Sequence, residues 1–338
     1  MTKRRDVIIV GGGPAGLAAA IGCGRRGLSC EVLEKGVLVN SIYRFPTNMV
    51  FFTTPELLEI GGLPLVSPFE KPTRLEALRY YRRVVDTLKL PLRMGTLVER
   101  VESVDGELHV SSTTADGEPE TWRADAVILA IGYYDHPNRL GVPGEELPHV
   151  SHYYTEAHAF YRKQVVVVGG ANSAAESALE LYRGGAARVT VVHRAAELSD
   201  SIKYWVLPDI KNRIAEGAIA ARFESRVVEI RRDEVVIERG RPADSQWALP
   251  GARESIPADA VFLLTGYHPD RRFLERCGVA FEPTTCLPVY DSNTFETNVP
   301  NVFLAGGVIS DGHRHPIFIE NGRHHGERIV EVIASRLR

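Results

Sequence analysis

One pattern occurs twice in this chain, and few folds accommodate such a duplication. The first copy runs from Asp6 to Gly16 (DVIIVGGGPAG). It continues with an apolar helix pattern to Arg26, a strand at Cys30 to Leu33 and, much later, Asp125 to Gly132 (DAVILAIG). The second runs from Gln164 to Ala174 (QVVVVGGANSA), through a helix pattern to Tyr182 and a strand at Arg188 to Val192, to Asp259 to Gly266 (DAVFLLTG). In both, the first strand is continuously apolar rather than alternating, as in a parallel sheet covered on both faces. A glycine turn, a helix and a further strand follow, so each copy predicts a βαβ unit closed by another parallel strand. The expected fold class is α/β, with two Rossmann-like dinucleotide-binding domains.

The segments between the copies suggest how the domains connect. The stretch Pro137 to Pro148, rich in Pro and Gly, and the short Gly266 to Pro269 are the places where the chain is expected to cross between domains. A last strand, Val302 to Ala305, leads through Gly306-Gly307 to a terminal helix around Arg323 to Arg336. If that tail returns to the first copy, the first domain is discontinuous, residues 1–132 and 267–338, and the second, 133–266, is inserted in it. Thr73 to Leu88 reads as an amphipathic helix with Leu75, Leu78, Val85 and Leu88 on one face and a Thr73/Glu76 capping box. Asp105 to Glu120 reads as hairpin and turn.

Composition narrows the partners. The chain has 338 residues, 44% of them apolar and 25% charged, which suits two globular domains and excludes disorder, collagen and a disulfide scaffold. Forty Lys and Arg against 43 Asp and Glu leave a net charge of −3, so no global field would hold nucleic acid or an anionic membrane. The opening MTKRR and the following apolar run are too short for a signal peptide, and no apolar stretch reaches the roughly 18 residues of a membrane span. The expected location is the cytoplasm.

The two glycine turns carry the chemistry. Gly11-x-Gly13-x-x-Gly16, with Pro14 and Ala15 between, follows a strand and opens a helix. Gly11 permits the tight turn, Gly13 admits a pyrophosphate, and Gly16 allows close packing of helix on strand. Glu34, with Lys35 after it, ends the second strand where a carboxylate accepts ribose hydroxyls and repels a 2′-phosphate. The second turn, Gly169-Gly170-Ala171-Asn172-Ser173-Ala174, has alanine at the middle motif position, and its strand ends in His193-Arg194. A guanidinium there is a planar fork suited to a ribose phosphate, and Lys203 is expected to add charge. One acidic and one basic ribose site point to a flavoenzyme that holds FAD in the first domain and receives hydride from NADPH in the second.

The chain resembles the two-dinucleotide flavoprotein reductases of the low-molecular-weight thioredoxin reductase type. More narrowly, NSIYRFPTNMVFFTTPELLEIGG (Asn40 to Gly62), GYYDHPN with GVPGEELP (Gly132 to Pro148), SIKYWVLP (Ser201 to Pro208), TGYHPD (Thr265 to Asp270) and IFIENGRHHG (Ile317 to Gly326) resemble the bacillithiol disulfide reductase family. The resemblance implies NADPH-dependent reduction of bacillithiol disulfide through FAD, in a homodimer. It places Asn40, Ser41, Gly132 and Gly306, with Gly307 beside it, at the FAD, and Asn172, Ser173 and Arg194 at the NADPH. Two departures stand out. The family commonly has cysteine where this chain has Ala15, and the Gly-Asp of two-dinucleotide reductases is here Gly306-Gly307.

Thioredoxin reductases of this build carry Cys-x-x-Cys shortly before the second glycine turn. Here that stretch is His152 to His158 without sulfur, which rules out thioredoxin reduction by an internal dithiol, since exchange needs an attacking thiolate. The four cysteines, Cys23, Cys30, Cys277 and Cys286, read as structural. His313, His315, His324 and His325 lie near the tail expected to approach the flavin, where one of them could protonate a leaving thiolate, and the plainer reading of each is an exposed loop or helix-face residue. Tyr133 is a candidate cover for the flavin, and Tyr134 shares that reading. No metal site is expected. The acceptor is a small-molecule disulfide or, alternatively, ferredoxin or flavodoxin. A flavin monooxygenase lacks its expected motif here, and a non-enzymatic redox sensor is the reading from another class.

Overall fold

The computed structural model describes residues 3–243, 246–248, 251–310 and 317–337. They gather into two compact units. The first takes in Met1–Arg44, Met49–His136 and Tyr267–Arg338, the second Phe45–Asn48 and Pro137–Gly266.

In the first unit, strand β1 (Lys3–Val10) lies between β2 (Cys30–Leu33) and β6 (Pro119–Leu129), parallel to both. Val7 to Val10 are buried on both faces, which is why the sequence runs apolar without alternation there. Helix α1 (Pro14–Arg25) joins β1 to β2, and β3 (Leu92–Arg93) extends the sheet beyond β2. On its other edge the long β6 serves two further partners. Its first half pairs antiparallel with β5 (Glu107–Thr114), which pairs with β4 (Thr96–Val104), while Val127 to Leu129 pair in parallel with β17 (Val302–Leu304). The hairpin expected over 105–120 is therefore part of a three-stranded meander, and the closing strand of the first copy is the end of its last member.

Helix α3 (Arg74–Leu88) begins at the expected Thr73/Glu76 capping box. Its buried face differs from the one expected. Ala77, Tyr80, Tyr81 and Val84 are buried, whereas Leu75 and Leu88 are exposed. Tyrosines decide the matter, because each pairs an apolar ring with a hydroxyl that reaches backbone. Tyr80 Oη donates to Leu63 O at 2.9 Å and Tyr81 Oη to Leu58 O at 2.9 Å. The short helices α2 (Asn40–Tyr43), α6 (Arg271–Arg276) and α7 (Ile319–Gly322) fill the connections. The terminal helix α8 (His325–Leu337) lies directly on α1, and a Cβ added at Gly326 would sit 2.4 Å from Ala19 N.

The second unit repeats the scheme. Parallel strands run in the order β10 (Ala220–Arg222), β9 (Arg188–Val192), β8 (Gln164–Val168), β16 (Ala260–Leu263) and β7 (Val150–Ser151). Helix α4 (Asn172–Arg183) joins β8 to β9, and α5 (Leu207–Ala215) joins β9 to β10. An antiparallel sheet of β11 (Ser225–Ile230), β12 (Glu234–Arg239) and β15 (Arg253–Pro257) accompanies it, with the ribbon β13 (Arg241–Ala243) and β14 (Gln246–Ala248). Among the described residues no helix is long and apolar enough to cross a membrane.

Candidate functional site

In the first unit the chain leaves β1 through a turn held from both sides. Gly11 N donates to Leu33 O at 2.9 Å, and Ala130 N donates to Val10 O at 2.8 Å. Gly11 has φ +109°, and a Cβ there would meet Ala130 O at 2.4 Å; a Cβ on Gly16 would meet Gly11 O at 2.0 Å. Only glycine fits these positions. Gly13 is different, since nothing lies within 4 Å of a Cβ built on it. The turn is therefore shut toward the sheet and open at its middle glycine. Pro14 starts α1 and no side chain caps Gly13, so the first N–H groups of the helix are left for an anion.

Glu34 stands where expected, buried at the end of β2. Its Oε2 accepts from Gly12 N at 2.7 Å and its Oε1 from Gly36 N at 2.8 Å. Burial pushes its carboxyl above the ordinary range, against the pull of those bonds. Asn40 and Ser41 open α2 close by, because Val39 N donates to Gly12 O at 3.1 Å. The Asn40 amide faces Gly36, where a Cβ would come within 2.7 Å of Oδ1. Lys35 turns to an ion pair with Asp135 at 2.8 Å, which also holds Arg44 at 2.9 Å, so its charge is already matched.

A second turn meets the first. After β17, Gly306 takes φ +73°, and a Cβ on it would lie 2.7 Å from the Cβ of Ala15. A Cβ on Gly307 would lie 2.8 Å from the Tyr133 ring, next to Gly132 with its own φ of +65°. Ala15, Gly132, Tyr133, Gly306 and Gly307 thus converge. Tyr133 is half-buried, and burial with the nearby Glu320 raises its hydroxyl above the ordinary value. Glu320 is itself raised by burial.

The histidines divide. His313 and His315 lie outside the described residues. His324 is exposed, as expected of a helix-face residue. His325 is not: it is buried, stacked on Phe295 with ring centroids 4.4 Å apart, and its Nδ1 accepts from Gly306 N at 3.1 Å. Burial first, then His324 and Arg328, bring its pKa down to about 4, so the ring is neutral near pH 7. The sequence marked it only as polar, because nothing local announces a partner on another element.

The second unit's turn copies the first in backbone. Gly169 N donates to Val192 O at 3.0 Å, Leu264 N to Val168 O at 2.8 Å, and Gly169 has φ +149°. His193 follows β9 as Glu34 follows β2, and its ring packs on Gly170, where a Cβ would come within 2.3 Å. Burial and the neighbouring Arg194 lower the His193 pKa. Arg194 is exposed and makes no ion pair among the described residues. Ala171 and Ala174 replace the second and third motif glycines. Ser173 sits in the first turn of α4, and Asn172 at its start works structurally. Its Oδ1 accepts from Lys203 N at 2.8 Å and its Nδ2 donates to Ser201 O at 3.1 Å.

Lys203 departs from expectation. It is 5% exposed, with Nζ 2.8 Å from Glu176 Oε1, an ion pair inside the unit rather than a free charge at the ribose end. The cysteines are free thiols, with Cys23, Cys30 and Cys277 buried and Cys286 exposed. Burial pushes the Cys277 thiol up to about 12, far from a reactive thiolate. No cluster of three or more metal-ligating side chains occurs among the described residues.

Comparison with known proteins agrees with this geometry. The pyridine nucleotide-disulphide oxidoreductase family matches residues 8–306. A bacilliredoxin reductase from Bacillus subtilis is 43% identical over 333 residues, 98% of each chain. The solved structure of a bacillithiol disulfide reductase from Bacillus cereus superposes with a TM-score of 0.92 at 42% identity, covering 99% of this chain and 100% of that one. A ferredoxin–NADP reductase from Saccharopolyspora erythraea is 30% identical over 310 residues, 90% of this chain and 84% of its own.

Proposed function

The chain belongs to the pyridine nucleotide-disulphide oxidoreductase family and within it to the bacillithiol disulfide reductases, and from that premise we propose that it is an NADPH-dependent flavoenzyme that reduces bacillithiol disulfide. Residues 1–132 and 267–338 are read as its FAD domain and 133–266 as its NADPH domain. The observation that carries the reading is the pair of matching turns, each followed at its strand end by a titratable side chain of different chemistry, Glu34 and His193 with Arg194.

The first turn suits FAD on three counts: the open face at Gly13, the buried carboxylate of Glu34, and the converging Gly132 and Gly306-Gly307. FAD, when bound, supplies the acceptor for a hydride from the nicotinamide and the donor of an electron pair to the disulfide. The chain's own residues bind and orient. Gly11 to Gly16 present backbone N–H groups to the diphosphate, and Glu34 accepts the ribose hydroxyls. Tyr133 shields the flavin end from water. In the second unit the exposed Arg194 is the group that selects a 2′-phosphate. With alanine at position 15, the first glycine turn carries no thiol, and the bacillithiol disulfide is read as meeting the reduced cofactor directly.

The test is an anaerobic titration of the purified yellow protein with NADPH, followed by flavin absorbance and then by addition of bacillithiol disulfide, bacilliredoxin, ferredoxin and flavodoxin in turn. The flavin should bleach with NADPH and recover with bacillithiol disulfide. Recovery only with ferredoxin or flavodoxin would replace this reading with the ferredoxin–NADP reductase one, and no bleaching would end both.

A further inference from the structure

We propose that His325 is the positioning residue that fixes the Gly306-Gly307 turn in the form that receives FAD. The proposal rests on the FAD reading of the first unit.

Strand β17 ends at Leu304, and Ala305 N makes the last ladder bond, to Leu129 O at 3.0 Å. The next N–H, that of Gly306, is buried with φ +73° and points off the ladder. A buried amide left without an acceptor is destabilising. Among the described residues no backbone oxygen takes it; His325 Nδ1 does, at 3.1 Å, from helix α8. An imidazole accepts at Nδ1 only when neutral, with its proton on Nε2.

The ring has little freedom to leave. Gly326, next along the chain, brings α8 into backbone contact with α1 at Ala19, and Phe295 stacks on the ring with an interplanar angle of 26°. Beyond the turn, Gly306 abuts Ala15 of the first glycine turn and Gly307 abuts Tyr133. A displacement of Gly306 N is therefore felt at the diphosphate turn and at the flavin end together. One hydrogen bond from α8 sets the register of both.

Two substitutions separate the acceptor from the ring. His325→Phe keeps an aromatic ring against Phe295 and removes the acceptor, whereas His325→Asn loses the ring and returns an acceptor oxygen at the δ position. Apoproteins are reconstituted with FAD, the dissociation constant is read from flavin fluorescence, and apoprotein melting reports packing alone. The Phe variant should bind FAD about tenfold more weakly or worse, the loss expected from one buried hydrogen bond. The Asn variant should bind more tightly than the Phe variant although its apoprotein melts lower. Wild-type affinity in the Phe variant, or FAD binding that follows melting temperature across both, would overturn the proposal. If the Phe variant does not fold, His325→Ala against His325→Asn makes the same comparison, with equal affinities overturning it. A wild-type protein that takes up no FAD is a separate result and refutes the FAD reading instead.

Discussion

The two glycine turns share a backbone and differ in nearly every side chain that matters. In each, the first glycine donates to the residue that ends the neighbouring strand, Leu33 in one and Val192 in the other, and takes a positive φ. The residue that follows faces the turn, as a carboxylate gripping two N–H groups in the first unit and as an imidazole packed on a glycine in the second. Burial acts on both and drives both toward neutrality, raising Glu34 and lowering His193. On the function proposed above, the backbone supplies a place for a diphosphate and the strand-end side chain decides which ribose is accepted. The tolerance of the turns differs too. Gly13 and Gly16 of the first correspond to Ala171 and Ala174 of the second.

The largest expected effect tests that tolerance. Gly16→Ala would drive a methyl to 2.0 Å from Gly11 O, a clash with backbone that cannot yield, so we expect a loss of more than ~3 kcal/mol of stability and of bound flavin. Ala174→Gly, which loses a buried methyl as well as helix propensity, should cost about 2 kcal/mol. Thermal unfolding and flavin content of the two variants measure the contrast. Flavin retained by Gly16→Ala would mean that the turns are interchangeable.

Next comes the carboxylate. Glu34→Ala strands two N–H groups, Gly12 and Gly36, and removes the ribose acceptor, so FAD affinity should fall on the order of 100-fold. NADPH binding to the second unit should hardly change. Isothermal titration with each nucleotide checks both halves, and equal losses would show that Glu34 serves the fold in general rather than one site.

Arg194→Ala is expected to act more weakly, because an exposed guanidinium works in high dielectric. The preference for NADPH over NADH should shrink about tenfold, mainly through KM for NADPH. Lys203→Ala should behave differently. Its ammonium balances Glu176 inside the unit, so the loss should appear as a lower melting temperature with the preference intact. A collapse of the preference in the lysine variant would restore it to the ribose site.

Much of this was legible in the sequence because parallel strands and glycine turns are local patterns. Both copies, their strand ends and the Thr73 cap follow from runs of a few residues. What escaped depends on contacts between distant segments. The buried face of α3 belongs to Tyr80 and Tyr81, whose hydroxyls find carbonyls far along the chain, and leucine periodicity pointed elsewhere. Lys35 follows a strand end directly and Lys203 is expected from the sequence to add charge at the other, yet Asp135 and Glu176 claim them. His325 looked like one of several polar tail residues until α8 came down on α1. In each case a partner from another element, invisible to spacing, took a group that the local pattern had left free.

The smallest effect comes from the opposed titration of the two strand-end groups. His193 is lowered in the folded protein, so its contribution is present above its unfolded value of about 6.5 and is lost as pH falls through the folded value, because the unfolded chain takes the proton first. Glu34 is raised, so its contribution is present below its unfolded value of about 4.5 and is lost as pH rises through the folded one. Acidification should therefore weaken the His193 contribution while strengthening that of Glu34. Melting curves of the apoprotein between pH 5 and pH 8, taken beside His193→Gln and Glu34→Gln, isolate the two terms by difference. We expect the His193→Gln variant to lose less stability than the wild type toward pH 5, and the Glu34→Gln variant to lose more, each by on the order of 1–2 °C. Difference curves of the same sign would mean that the two positions, equivalent in backbone, are not opposed in charge.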